Sequence, residues 1–232
     1  MKAIILAGGR GTRLPQSARD IPKALVRVHG KTILDHQLDA LARHGLSDVM
    51  LSLGFRADQI VQHLAATGRA HIEHVIESEP LGTGGAVRFA TEGMTEPFLV
   101  LNGDTLADFN FTAILGAHEP RAALMVSHWQ EDARDFGLLD VAGGRIRAFL
   151  EKPSELQPGF INAGCYILHP EHIAGIPERP FMLEQDVFPR LAASGLLHTL
   201  PHRGFWQDLG TEERLAGVRA LALSLPKGET LP

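Results

Sequence analysis

Three glycines crowd into four positions at Gly8-Gly9-Arg10-Gly11, directly after the apolar run Lys2–Leu6. Glycine lets a backbone turn tightly and bring its N–H groups against a phosphate. Arg10 and Arg13 fall inside the turn, and Lys23 follows in Ile21-Pro22-Lys23. Backbone donors joined by two or three cations suit a triphosphate, whose oxygens take charge-assisted hydrogen bonds. Taken alone, the segment is equally a tight turn with exposed arginines. It is not a Walker A loop, because no Gly-Lys-Ser/Thr follows. Nor does it carry the Gly-x-Gly-x-x-Gly spacing of a dinucleotide-binding turn.

Two carboxylates stand at the ends of strand-like runs far apart in the chain. Val100-Leu101-Asn102-Gly103-Asp104 closes an apolar run, and Phe205-Trp206-Gln207-Asp208-Leu209-Gly210-Thr211 closes an aromatic one. Ligands of open α/β sheets bind beyond the carboxyl ends of strands, so both aspartates are placed to meet a metal–phosphate complex. Mg²⁺ usually takes one or two carboxylates and fills its octahedron with phosphate oxygens and water. An isolated Asp beside Gly is otherwise a plain turn. A second glycine-rich segment, Glu77-Ser78-Glu79-Pro80-Leu81-Gly82-Thr83-Gly84-Gly85-Ala86, suggests a helix opening at about Gly84–Gly85. Glu79 in it reads equally well as a solvated acidic turn.

In combination these segments resemble the sugar-1-phosphate nucleotidyltransferases, also called nucleotide-sugar pyrophosphorylases. The matching signatures are Gly8-Gly9-Arg10-Gly11-Thr12-Arg13-Leu14 with Pro22-Lys23, then Asn102-Gly103-Asp104, then Trp206-Gln207-Asp208-Leu209-Gly210-Thr211. One departure is Pro22-Lys23-Ala24, where many members carry Pro-Lys-Pro; it bears on loop stiffness more than on chemistry. The resemblance runs from Met1 to about Gly217. It implies condensation of a nucleoside triphosphate with a sugar 1-phosphate, with Mg²⁺ as cofactor held by Asp104 and Asp208. It places Leu6, Ala7, Gly8, Gly9, Arg10, Gly11, Thr12, Arg13, Lys23, Glu77, Gly82, Thr83, Asn102 and Gly103 around the nucleotide. Arg13 would meet the leaving pyrophosphate, Lys23 the α-phosphate and Lys152 the sugar phosphate. Gly137, Glu151, Asn162 and Glu184 would face the sugar.

Glu77 would read the base. A carboxylate accepts both donors on the Watson–Crick edge of guanine, whereas uracil and thymine offer one donor beside acceptors, so GTP is favoured. Within the family the chain is most similar to the D-glycero-D-manno-heptose 1-phosphate guanylyltransferases, which serve cell-surface polysaccharide. Compact mannose-1-phosphate guanylyltransferases come next, then N-acetylmuramate-1-phosphate uridylyltransferases. A silent nucleotide-sugar sensor is a different reading, which intact Arg13, Lys23, Asp104, Lys152 and Asp208 argue against. A glycosyltransferase would more often show Asp-x-Asp, and Asn102-Gly103-Asp104 is not that.

The elements that must hold these residues alternate in the first half. Lys2–Leu6, Val49–Leu53, His71–Ile76 and Phe98–Leu101 read as strands, with helices at about Thr32–His44 and Ala57–Ala66. Leu34, Leu38 and Leu41 share one helical face, and Gly45 is a stop signal. Such alternation implies parallel strands with helices on both faces. Beyond Ala122 come closely spaced strands at Ala122–Ser127, Gly137–Val141, Ile146–Glu151 and Ile161–Leu168, with Gly143-Gly144 as a hairpin turn. A helix at Leu183–Ala193, a strand at Leu197–Leu200 and a last helix at about Glu212–Leu223 complete the pattern. The expectation is an α/β fold, a Rossmann-like three-layer sandwich with a mixed, mainly parallel sheet, of the nucleotide-diphospho-sugar transferase type. Residues 1–232 form one domain, about 1–121 binding the nucleotide and about 122–225 the sugar phosphate.

Bulk properties agree. At 232 residues, 44% hydrophobic and 21% charged, the chain can bury a core without disulfides. Net charge is −5 with no long basic run, which argues against a nucleic-acid partner. No apolar stretch is long enough to span a bilayer, and the run before Gly8 is too short for a signal peptide. One cysteine, Cys165, forms no internal bridge, so a reducing cytoplasm is expected. Cys165 itself reads as a small buried hydrophobe, and Trp129 and Trp206 as packing residues. Family members are often oligomers, and a homo-oligomer is compatible with the last helix.

Overall fold

The computed structural model describes residues 1–9, 21–150, 154–177 and 180–223. The first strand, β1 (Ala3–Leu6), explains the arrangement around it. Its alternating side chains face two ways, Ile5 into one apolar layer and Ile4 into the other, and both are fully buried. A strand covered on both faces needs helices on both sides.

The chain continues through a 3₁₀ turn (Lys23–Leu25) and a short hairpin, β2 (Arg27–Val28) and β3 (Lys31–Thr32), into α1 (Ile33–Arg43). Thr32 caps α1 reciprocally: its hydroxyl accepts the Asp35 N–H, and the Asp35 carboxylate accepts the Thr32 N–H. Leu34, Leu38 and Leu41 face the core, and Gly45 with φ 74° ends the helix. Then follow β4 (Val49–Leu53), α2 (Ala57–Ala66), β5 (Glu73–Ile76), α3 (Gly82–Ala90), β6 (Phe98–Asn102), β7 (Thr105–Ala107) and α4 (Phe111–Gly116). The second half holds β8 (Ala123–Gln130), β9 (Leu138–Ala142), β10 (Arg145–Leu150), β11 (Gly159–Leu168) and α5 (Pro170–Ile173). It closes with a π-helical turn (Leu183–Val187), α6 (Phe188–Ala193), β12 (Leu197–His202), β13 (Trp206–Asp208) and α7 (Glu212–Leu223).

Nine strands form one sheet in the order β5-β4-β1-β6-β11-β8-β12-β10-β9. The first four are parallel to their neighbours. From β11 onward the pairing is antiparallel except between β8 and β12. The sheet is mixed as expected but not mainly parallel: among the described residues four pairings are parallel and five antiparallel, because β11 runs against β6, β8 and β9 and the parallel pairs cluster in the N-terminal half. β11 is the seam. Along one edge its C-terminal part pairs with β6 (Cys165 opposite Leu101) and Ile161 pairs with Leu138 of β9, while its other edge pairs with β8 on both sides of a register shift. The pairing with β9 closes a ring of five strands, β11-β8-β12-β10-β9.

Three local expectations shift. The third strand begins at Glu73 rather than His71, because the Ile72 N–H closes a turn onto the Arg69 carbonyl. Helix α3 opens at Gly82, two residues early; Gly82, in left-handed backbone at φ 74°, turns the chain into it. The helix over Leu183–Ala193 begins as a π turn in which the Phe188 N–H reaches the Leu183 carbonyl. Pro189 has no N–H to give the usual bond to residue 185, so the wider winding is tolerated there. Gly143 and Gly144, at φ 58° and 74°, make the expected hairpin turn. Cys165 is fully buried. No helix among the described residues is long and apolar enough to cross a membrane.

Candidate functional site

The carboxyl ends of β1, β4, β5 and β6 open onto a cavity of about 510 Å³. Leu6, Ala7, Gly8, Gly9, Lys23, Glu77, Gly82, Thr83, Asn102, Gly103 and Asp104 all line it. Those eleven residues are drawn together as the sequence implied. Arg10, Gly11, Thr12 and Arg13, and likewise Glu151 and Lys152, lie outside the described residues. The cavity wall also includes Gly54, Phe55 and Met182, which sequence reasoning did not select. Gly103 is required by packing: its N–H donates to the Leu6 carbonyl at 3.0 Å, and a Cβ there would run into that same oxygen.

Glu77 is fixed from behind. Its Oε1 accepts the Ser52 hydroxyl at 3.0 Å and its Oε2 accepts the Leu81 N–H at 3.1 Å. Each carboxylate oxygen keeps a further lone pair for the cavity. Thr83, in the first turn of α3, is also committed. Its hydroxyl donates to Glu184 Oε2 at 2.7 Å and accepts the Leu183 N–H at 2.9 Å, so Glu184 on the π turn is tied directly to α3.

At the cavity mouth Lys23 stands between two carboxylates. Its Nζ donates to Asp104 Oδ2 at 2.5 Å and lies 3.9 Å from Asp208 Oδ1. The aspartates meet because β7 pairs with β13, Thr105 opposite Asp208, and the Leu209 N–H donates to the Asp104 carbonyl at 2.9 Å. Burial pushes the Asp208 carboxyl above its ordinary range and the Asp104 charge adds to this; Lys23, Arg214 and the Gly210 N–H oppose it. Two facing carboxylates, one of them short of solvent, make a place for positive charge. Among the described residues no three His, Cys, Asp or Glu side chains converge on a metal-sized point. The protein therefore offers two carboxylates there, and the ammonium of Lys23 stands where a cation fits.

This geometry puts glycine backbone, a fixed carboxylate and a cation–carboxylate cluster on one cavity. The sequence profile of the nucleotidyl transferase family matches residues 2–223. The chain belongs to that family. Mannose-1-phosphate guanylyltransferase catalytic subunit beta of Danio rerio is 37% identical over 222 residues, covering 90% of this chain and 61% of that protein. Mannose-1-phosphate guanyltransferase of Aspergillus fumigatus is 35% identical over 240 residues, covering 98% of this chain and 66% of that one. The chain thus spans 61% to 66% of the length of these two relatives. The crystal structure of HddC from Yersinia pseudotuberculosis, complexed with GMP-PN, superposes with a TM-score of 0.84 at 29% identity. That likeness covers 95% of this chain and 99% of the other.

In this chain the far side of the cluster is built by β11 and the loop before β9. Asn162 is oriented internally: its Oδ1 accepts the Gly164 N–H at 2.8 Å and its Nδ2 donates to the Tyr166 hydroxyl at 2.8 Å. The buried Tyr166 hydroxyl thus holds the Asn162 amide from within the same strand. Asn102 Oδ1 is buried with no partner among the described residues. Gly137 follows Phe136, whose ring meets Trp206 edge-on at 5.7 Å. Trp206 is buried and donates its indole N–H to the Ala163 carbonyl at 2.8 Å, so it packs as expected. Trp129 does not: it is 46% exposed beside Phe160. Tyr166 and Arg214 are the site residues that sequence reasoning passed over. A lone tyrosine in an apolar strand, and an arginine in the first turn of a helix, are the signals that mark them.

Proposed function

We propose that this chain transfers a guanylyl group from GTP to a sugar 1-phosphate, releasing pyrophosphate. The observation that carries the reading is Lys23 held between Asp104 and Asp208 at the mouth of a cavity whose wall is glycine backbone and Glu77. A phosphate monoester is already an anion, so no strong general base is needed. An oxygen of the sugar phosphate attacks the α-phosphorus, forming a new P–O bond. The bond from that phosphorus to the bridging oxygen breaks, and its electrons leave with pyrophosphate. Positioning and charge neutralisation lower the barrier.

Asp104 and Asp208 would hold Mg²⁺, which when bound neutralises phosphate charge. Lys23 orients the α-phosphate, and Arg13 and Lys152 are assigned to the pyrophosphate and the sugar phosphate by family likeness. Glu77, already immobilised by Ser52 and Leu81, presents its remaining lone pairs to N1–H and the N2 amine of guanine. The mannose names of the two relatives and the motif likeness to heptose enzymes agree on a manno-configured sugar. We favour the heptose 1-phosphate on the motifs, with mannose 1-phosphate as the second reading on the relatives. The product would supply cell-surface polysaccharide from the cytoplasm.

The test is pyrophosphate release with each nucleoside triphosphate against a panel of sugar 1-phosphates, with and without Mg²⁺. Release with GTP and a manno-configured sugar, abolished by chelation, is expected. Release only with UTP would remove the guanine assignment, and no release from any pair would remove the enzyme reading.

A further inference from the structure

Arg214 is the third residue of α7, in the first turn, where the helix dipole disfavours a cation. Its contacts account for the placement. Nη1 donates to Asp208 Oδ2 at 3.1 Å and Nη2 donates to Asp135 Oδ2 at 2.6 Å. The guanidinium also lies 4.5 Å from the centre of the Phe136 ring. Asp135 and Phe136 end the loop between β8 and β9 and run straight into Gly137. The other oxygen of Asp208, Oδ1, accepts the Gly210 N–H. Arg214 therefore completes the anchoring of Asp208 and, with the same planar group, holds the loop that leads to Gly137. A lysine offers a single point charge and lacks this fork.

We propose that Arg214 is a positioning residue: it ties the loop before Gly137 to Asp208, so that sugar-phosphate binding and the Asp104–Asp208 pair stay aligned. The inference rests on the reading of the site as one for a sugar 1-phosphate. Arg214 itself is assigned no contact with a reacting atom.

The Asp135 side chain is 74% exposed and that of Arg214 only 15%, so Asp135→Asn cuts the outer contact without leaving a buried carboxylate unpaired. The experiment uses the full chain as wild type, Asp135→Asn, Arg214→Lys, Arg214→Ala and the Asp135→Asn/Arg214→Ala double variant. Binding of mannose 1-phosphate is measured by calorimetry without metal or nucleotide. KM for each substrate, kcat and Tm are then measured. Asp135→Asn should weaken mannose 1-phosphate binding and raise its KM roughly three- to fivefold, the scale of an exposed ion pair, with KM for GTP and Tm unchanged. Arg214→Ala should weaken it further, by about tenfold, and lower kcat, since it also releases Asp208. Arg214→Lys should fall between wild type and Arg214→Ala. Asp135→Asn should add nothing once Arg214 is gone, the non-additivity of a shared network.

Equal losses for both substrates, fully additive effects, or losses that simply follow Tm would overturn the role. A wild-type chain that binds mannose 1-phosphate but releases no pyrophosphate would sink the transfer reading, while the binding comparison still decides the role of Arg214. A wild-type chain that binds no mannose 1-phosphate overturns the proposal in this form.

Discussion

The ammonium of Lys23 lies 2.5 Å from one Asp104 oxygen, and its place in the mechanism follows from that contact. Removing it leaves two facing carboxylates unbalanced in a partly dry site. Lys23→Ala and Asp104→Asn should each lower kcat/KM by at least about a hundredfold, the scale of one electrostatic stabiliser. Near-normal turnover in a steady-state assay would remove either from the mechanism. Glu77 answers to a different measurement. Glu77→Gln keeps one acceptor but turns an amine toward either the Ser52 hydroxyl or the Leu81 N–H. It also loses one of two acceptors for guanine. Competition between GTP and UTP should show GTP preference falling by about tenfold, one charge-assisted hydrogen bond's worth. An unchanged ratio would mean that other groups read the base.

At the scale of elements, the seam strand β11 depends on one glycine. Gly164 adopts φ 75° where the register shifts between Asn162 and Tyr166. A Cβ there would lie 2.9 Å from Thr105 Oγ1 and 3.0 Å from Asn102 Nδ2. Gly164→Ala should cost about 1–3 kcal/mol in denaturant unfolding, from backbone strain and crowding together. A change within error would show that the bulge relaxes freely. This element also marks where sequence stops being informative. Helix α1 is legible to within a residue because Leu34, Leu38 and Leu41 set its face and Gly45 its end. Asp104 and Asp208 are legible because each closes an apolar or aromatic run. Strand β7 is not: Thr105–Ala107 is extended because β13, a hundred residues on, pairs with it. The π turn likewise reflects Pro189 and its packing rather than periodicity. Arg214 gains its role from Asp208 and Asp135 on other elements, partners that its place in a helix's first turn does not name.

Across the whole molecule, acid should weaken the fold through buried histidines. His172 is 4% exposed; its Nε2–H donates to the Arg121 carbonyl at 3.0 Å and its Nδ1 accepts the His169 N–H at 3.1 Å. Both nitrogens are thus used in the neutral ring. Burial lowers its pKa below the ordinary 6.5, with nearby His169 and His118 reinforcing this and the Arg121 carbonyl and Glu171 opposing it. Burial likewise lowers His118 and His128. A depressed histidine contributes its full stability above about pH 6.5 and loses it as pH falls through the folded value. Tm should therefore hold near pH 7.5 and decline below 6.5, and His172→Gln should flatten that decline. A Tm independent of pH over this range would refute the assignment. The seam at β11 has one more consequence. Strand β6 shows an apolar, unpaired flank until β11 is added, and β11 is made only after β7, α4, β8, β9 and β10. A chain halted on the ribosome in that interval carries a half-built sheet whose bare backbone can template a neighbouring chain. The strand that joins the two halves of the site is thus also the one whose synthesis covers the bare flank of β6, while β8 and β10 still await β12.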